Sequence, residues 1–134
     1  MSKRLGKKRR LAGAAVEMAV VTPLLLTLLF GIIEYGWTFS VKQSLVTAAR
    51  EGAREASMPG SSDDEIRDRV QEYLAPMGVT SAEVELTRAS PPDQPTETVT
   101  VTVPYADISL LGGFFGTTDY DLRSSCSMRK EGLD

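Results

Sequence analysis

The run LAGAAVEMAVVTPLLLTLLFGII, residues 11 to 33, constrains this chain more than any other stretch. Glu17 is the only charged residue in its 23 positions. At 1.5 Å rise per residue, a helix of this length covers about 34 Å, against a hydrocarbon thickness of about 30 Å. The residues are apolar around the whole circumference rather than along one stripe, so the pattern is that of a membrane helix. Four of the nine aromatic residues, Phe30, Tyr35, Trp37 and Phe39, follow within ten positions at its far end, where an interfacial aromatic belt belongs. Six of the 15 basic residues (Lys3, Arg4, Lys7, Lys8, Arg9, Arg10) precede it within the first ten positions. By the positive-inside rule they stay in the cytoplasm and the remainder lies outside. The expected division is a basic cytoplasmic leader at 1–13, a transmembrane helix at 14–36 and an extracytoplasmic domain at 37–134.

An ordinary secretory signal peptide has the same basic start. Its apolar core is shorter, about 7 to 15 residues, and small residues mark its cleavage site. Here the run is longer and leads into the bulky FGIIEYGWTF. A plain uncleaved anchor is the stronger competitor, and Glu17 tests it. A carboxylate at bilayer depth costs about 2.5 kcal/mol or more on insertion scales, so it calls for a partner. A positive amino terminus, on the same or a neighbouring chain, is the best one. It would exist if the chain were cut just before the helix, at the small residues Ala12, Gly13 and Ala14. Glu34, at the other end, is expected to be reached by solvent. Pro23 removes one helix hydrogen bond and can kink the axis, which membrane helices tolerate. Gly31 and Gly36 permit close helix packing.

Charge and composition exclude several functions. Beyond residue 10 the chain holds 9 basic and 18 acidic side chains, a balance of -9, so a basic nucleic-acid-binding surface is not expected. There is no histidine, which removes serine–histidine and cysteine–histidine catalysis and histidine-containing zinc sites. The single cysteine, Cys126, cannot close a disulfide within the chain. Its position suggests a small core residue; pairing between chains is the alternative. No nucleophile–base spacing stands out, and no catalytic, metal or cofactor residue is assigned.

The rest of the chain reads as a small α+β domain. Residues 40–57 continue the helix, with Val41, Leu45, Ala48, Ala49, Gly52, Ala53 and Ala56 on one seam that must face either the protein's own sheet or another subunit. Glu51 can reach Arg54. Pro59-Gly60 ends this helix. Ser62 and Glu65 form a capping box, and Asp63 and Asp64 favour the positive end of a second helix; this is a helix-start pattern rather than a metal site. Ile66, Val70, Tyr73 and Leu74 give that helix its apolar face, and Pro76 and Gly78 stop it. Val84 and Leu86 alternate with polar residues as a strand. After a loop at Ser90 to Glu97 with Pro91, Pro92 and Pro95, TVTVTV (Thr98–Val103) is a half-buried strand with valines on one face. The last run, Tyr120 to Met128, places Tyr120, Leu122, Cys126 and Met128 on one parity. Between these strands, ISLLGGFFG (108–116) is apolar and glycine-rich. It has no phosphate-loop context. Its options are to close the core, to dip into the membrane or to meet another subunit.

In combination these segments resemble a known family. The basic start, GAAVEMAVVTPLLLTLLFGIIEYGWTF and LVTAAREGAREAS, with TVTVTVPY and the terminal SSCSMRKE in support, resemble the TadE-like minor pilins or pseudopilins of the tight-adherence (Tad, or Flp) pilus system. The resemblance is best over residues 9 to 57. It implies a pilin-like α+β fold: a long N-terminal membrane-spanning helix continuing into a small head with a second helix and a roughly three-stranded antiparallel sheet. It implies processing by a prepilin peptidase near Gly13, with the helix glutamate fifth in the mature chain. A cut after Gly13 makes Glu17 the fourth residue; a cut after Ala12 makes it the fifth. The implied partners are the peptidase, other minor and major pilins, the membrane platform of the pilus machine and the lipid bilayer. The implied location is the inner membrane, with possible incorporation in the fibre. The competing reading is an unprocessed, single-pass anchored binding or sensor domain.

Overall fold

The computed structural model describes the backbone of residues 2–89, 95–114, 116 and 119–130, with side chains from Ala12 onward. Helix α1 runs from Ser2 to Ser57 and continues through Pro23. Two compact units divide the chain, Met1–Tyr35 and Gly36–Asp134. The side chains of the six leading cations, with Pro91, Pro92, Phe115 and Glu131, lie outside the described residues.

In the first unit, every residue from 12 to 30 is exposed. Val16 and Leu24 are 66% and 68% exposed, and the exposed apolar positions are nearly consecutive, so no face of the helix is spared. This stretch is long and apolar enough to cross a membrane. Glu34 departs from expectation. It is buried, at 6% exposure, and it is partnered. A carboxylate survives burial only by having its lone pairs satisfied, and sequence position alone does not reveal such partners.

The second unit is an α+β head. The rest of α1 packs its small-residue seam inward, with Val41, Leu45, Ala48, Ala49, Ala53 and Ala56 all buried. Of the two candidate covers for this seam, the protein's own fold is the one found, and the seam joins one core with the sheet and the second helix. Helix α2 spans Asp63–Leu74. Its capping box forms as expected: the Ser62 N–H donates to Glu65 Oε2 at 2.8 Å, and the Glu65 N–H donates to Ser62 Oγ at 3.3 Å. Ile66, Val70 and Leu74 are buried, but Tyr73 is exposed. Its ring instead borders a shallow surface groove with Ser40, Gln43, Ser44 and Thr47 of α1, because a phenol keeps its hydroxyl hydrated at a rim more cheaply than in a core. A 3-10 turn over Ala75–Met77 carries Pro76, and Gly78 leaves it at φ 69°, in the left-handed region that glycine favours.

Three strands, β1 (Glu83–Ala89), β2 (Thr96–Pro104) and β3 (Asp121–Arg129), form an antiparallel sheet in that order. β2 is central and longer than the TVTVTV run: it takes in Thr96 and Glu97, which the proline-rich stretch before them assigns to the loop. Its valines 99, 101 and 103 are fully buried. The opposite face is polar but not uniformly wet. Thr100 is buried, while the Thr98 and Ser127 hydroxyls share a hydrogen bond at 2.7 Å and Arg123 reaches Glu85 at 3.4 Å. Between β2 and β3 lie a short helix, α3 (Tyr105–Ile108), and the apolar loop. Leu122 is buried and Cys126 and Met128 are half-buried, as their parity requires. Tyr120 precedes β3 and is exposed, so it does not extend the core parity.

Candidate assembly helix and its carboxylate

Glu17 is the only charged residue of the apolar run, residues 11–33. Its helical neighbours one turn away are Gly13, Ala14, Val20 and Val21, none of which donates a side-chain hydrogen bond. Among the described residues, none pairs with the Glu17 carboxylate, and its side chain is exposed. The carboxylate thus projects from an apolar helix with no partner among the described residues.

The backbone around it is open. Ala12, Gly13 and Ala14 are exposed and helical, and nothing lies within 4 Å of where a Gly13 Cβ would stand. Gly36 is equally open. Gly31 is half-buried. Pro23 has no N–H to give the Ala19 carbonyl. One turn later the Thr27 hydroxyl donates to the Pro23 carbonyl at 2.8 Å, a back-bond of the kind that bends helices. Glu17, the small residues, Pro23, Gly31 and Gly36 therefore all stand on one helix. Among the described residues no pocket gathers them.

Two charge clusters in the head were not legible in the sequence. Glu97 is buried on the valine face of β2 and is met by Arg88 Nε at 3.2 Å and Lys130 Nζ at 3.3 Å. Arg88 also pairs with Asp63 at the start of α2. The hydrogen bond and charge of Asp63 push the Arg88 pKa up, with Glu97 adding to the effect. This chain of ions ties α2 to β1, to β2 and to Lys130, the residue that follows β3. The only sequence signal was a glutamate on valine parity, which reads as an error of strand length.

The second cluster lies between α1 and α2, where Glu55, Glu65, Asp68 and Glu72 surround Arg69 in an open groove of about 300 Å³. Arg69 binds Glu72 at 2.9 Å and approaches Glu55 at 3.8 Å; the Glu72 contact raises its pKa. Both clusters are ion pairs that lace elements together. Among the described residues no group of three or more cysteine, aspartate or glutamate side chains is arranged to hold a metal.

No curated protein and no solved structure matches the chain at a significant level. A family model does match, over the helix just described. Residues 13–54, from the glycine before Glu17 to the last turns of the docked seam, match the family described as TadE-like protein, so over this segment the chain is similar to that family.

Proposed function

We propose that this protein is a minor pilin or pseudopilin that assists assembly or initiation of a Tad-type pilus. The observation that carries the reading is Glu17, a carboxylate with no partner among the described residues, on a stretch of helix (residues 12–30) that is apolar and exposed on every face, inside the segment that matches the TadE-like model. Such a helix is insoluble in water and costly in lipid until the carboxylate meets a positive group. A prepilin peptidase cutting at Ala12–Ala14 would supply one: the freed amino terminus of this or a neighbouring subunit. The helix then waits in the inner membrane with its basic leader inside and its head outside. It enters a bundle with other pilins when the carboxylate and a terminus pair, and Gly31 and Gly36 allow the helices to approach. The work of assembly falls to the membrane platform and the rest of the pilus machine; the head contributes shape and no catalysis.

Two measurements test this. The intact mass of the mature protein, made with and without a prepilin peptidase, should begin at Gly13 or Ala14 only when the enzyme is present. A chain that keeps its basic head in both cases would be an anchored binding or sensor domain instead. Glu17→Ala should leave membrane insertion intact, since removing a buried charge favours insertion by about 2.5 kcal/mol or more. It should also reduce pilus number sharply. Normal piliation in that variant would sink the pairing mechanism.

A further inference from the structure

The apolar loop between β2 and β3 is closed at its neck and open at its tip. At the neck, the Tyr105 N–H donates to the Tyr120 carbonyl at 2.9 Å. The two rings stack there, with centroids 4.5 Å apart and planes at 17°. Beyond it, two tight turns are held by Phe114 N–H to Leu111 O at 3.2 Å and Gly116 N–H to Gly113 O at 3.1 Å. Gly112 and Gly113 turn the chain at φ 57° and 84°, which side-chain-bearing residues rarely adopt. No charged residue occurs from Ile108 to Thr118. Ile108 points inward, but Leu110 is 55% and Phe114 67% exposed. A folded head is not obliged to present a leucine and a phenylalanine on a built turn to water.

What locates the loop is its tether. The Trp37 Nε1–H donates to the Ile108 carbonyl at 2.8 Å. Trp37 belongs to the aromatic cluster that follows the apolar run, and an indole there sits at the lipid–water boundary when the helix spans a bilayer. Leu110 is two residues from Ile108, so it lies within about 7 Å of that anchor at full extension. The interfacial layer on each side of the hydrocarbon is itself about 5 to 7 Å thick. The tether therefore keeps the near side of the loop, at Leu110, within about one interfacial thickness of Trp37. Irregular backbone cannot enter the hydrocarbon, but it can rest in the headgroup layer, where its peptide groups stay hydrated.

We propose that the turn carrying Leu110 and Phe114 is a second membrane contact, an apolar turn that sits in the lipid interface; this rests on the reading above that residues 12–35 span a bilayer. The contact is apolar rather than electrostatic. Asp107 and Asp119 flank it, and residues 36–134 carry 16 acidic and 9 basic side chains, a charge of -7. Zwitterionic lipid should therefore suffice, and added anionic lipid should not deepen insertion.

The test uses the full chain carrying Cys126→Ser, reconstituted in phosphatidylcholine vesicles, with nitroxide labels placed singly through Leu110→Cys or Phe114→Cys. Leu25→Cys reports the span and Thr87→Cys the exposed strand β1. Unchanged Trp37 emission verifies that each labelled head is folded. The ratio of oxygen to nickel-chelate accessibility should shift at 110 and 114 from the Thr87 value toward the Leu25 value. A Thr87-like ratio at both loop sites, with Leu25 deep, overturns the loop contact and leaves the anchor standing. Loss of access to both probes at the loop sites would mean that protein covers the loop, and also overturns it. A water-like ratio at Leu25 overturns the spanning reading and this one together.

Discussion

Gly52 shows how much one missing side chain decides. It lies in the buried seam of α1, and a Cβ built on it would come within 2.7 Å of Val70 Cγ2 and 3.1 Å of Val99 Cγ1. Both neighbours are β-branched and stiff at χ1, so neither can swing aside. Gly52→Ala, which raises helix propensity, should therefore destabilise the head by about 1 to 3 kcal/mol through overpacking. Urea denaturation of the detergent-solubilised chain measures it; a stabilised variant would mean that the helix and sheet can part at no cost. Glu65 makes a pH-dependent contribution. The Ser62 backbone N–H, and then its hydroxyl, hold the Glu65 carboxyl below its ordinary value of 4.5. Because the folded pKa lies below the unfolded one, the added stability is complete above the unfolded value and fades as pH falls through the folded one. The gap in urea midpoint between wild type and Glu65→Gln should thus be widest near neutrality and close under acid. A gap independent of pH would remove the carboxylate from the cap.

At the scale of elements, α1 is two helices in one. Its residues 12–30 are exposed on all sides, while from Val41 onward one stripe is wholly buried. The buried stripe supports the head directly: Leu45 is among its largest fully buried side chains. Leu45→Ala should cost about 2 to 5 kcal/mol, read from the same urea midpoints. A loss under 1 kcal/mol would show that the seam is not part of the core. Much of this was legible in the sequence because it rests on short-range rules. The apolar run, the alanine seam, the capping box and the valine parity of β2 each declare themselves within one continuous stretch of sequence. What escaped depends on partners far apart in the chain. Glu97 belongs to β2 because Arg88 and Lys130 neutralise it, and Tyr73 turns outward because of α1 residues some thirty positions earlier. Glu17 was legible as a candidate for a simpler reason: a lone charge in an apolar run needs no distant partner to be noticed.

At the scale of the whole molecule, attachment to the membrane should depend on apolar area and not on charge. Alkaline carbonate or high salt, which strip proteins held by ion pairs, should leave this chain in the membrane pellet, since salt screens charges but not apolar burial. Its release into the supernatant would make the helix a peripheral binder. The head draws part of its core from α1 and closes its sheet only with β3. Synthesis proceeds from the amino end, so the alanine-lined stripe of residues 41–56 emerges long before the strands that cover it. A nascent chain stalled before Asp121 lacks one neighbour of the central strand, and the half-made head exposes valines on an unpaired edge. Quality control of this protein therefore hinges on a timing problem: something must shield that stripe, or keep copies apart, during the interval between the first helix and the last strand.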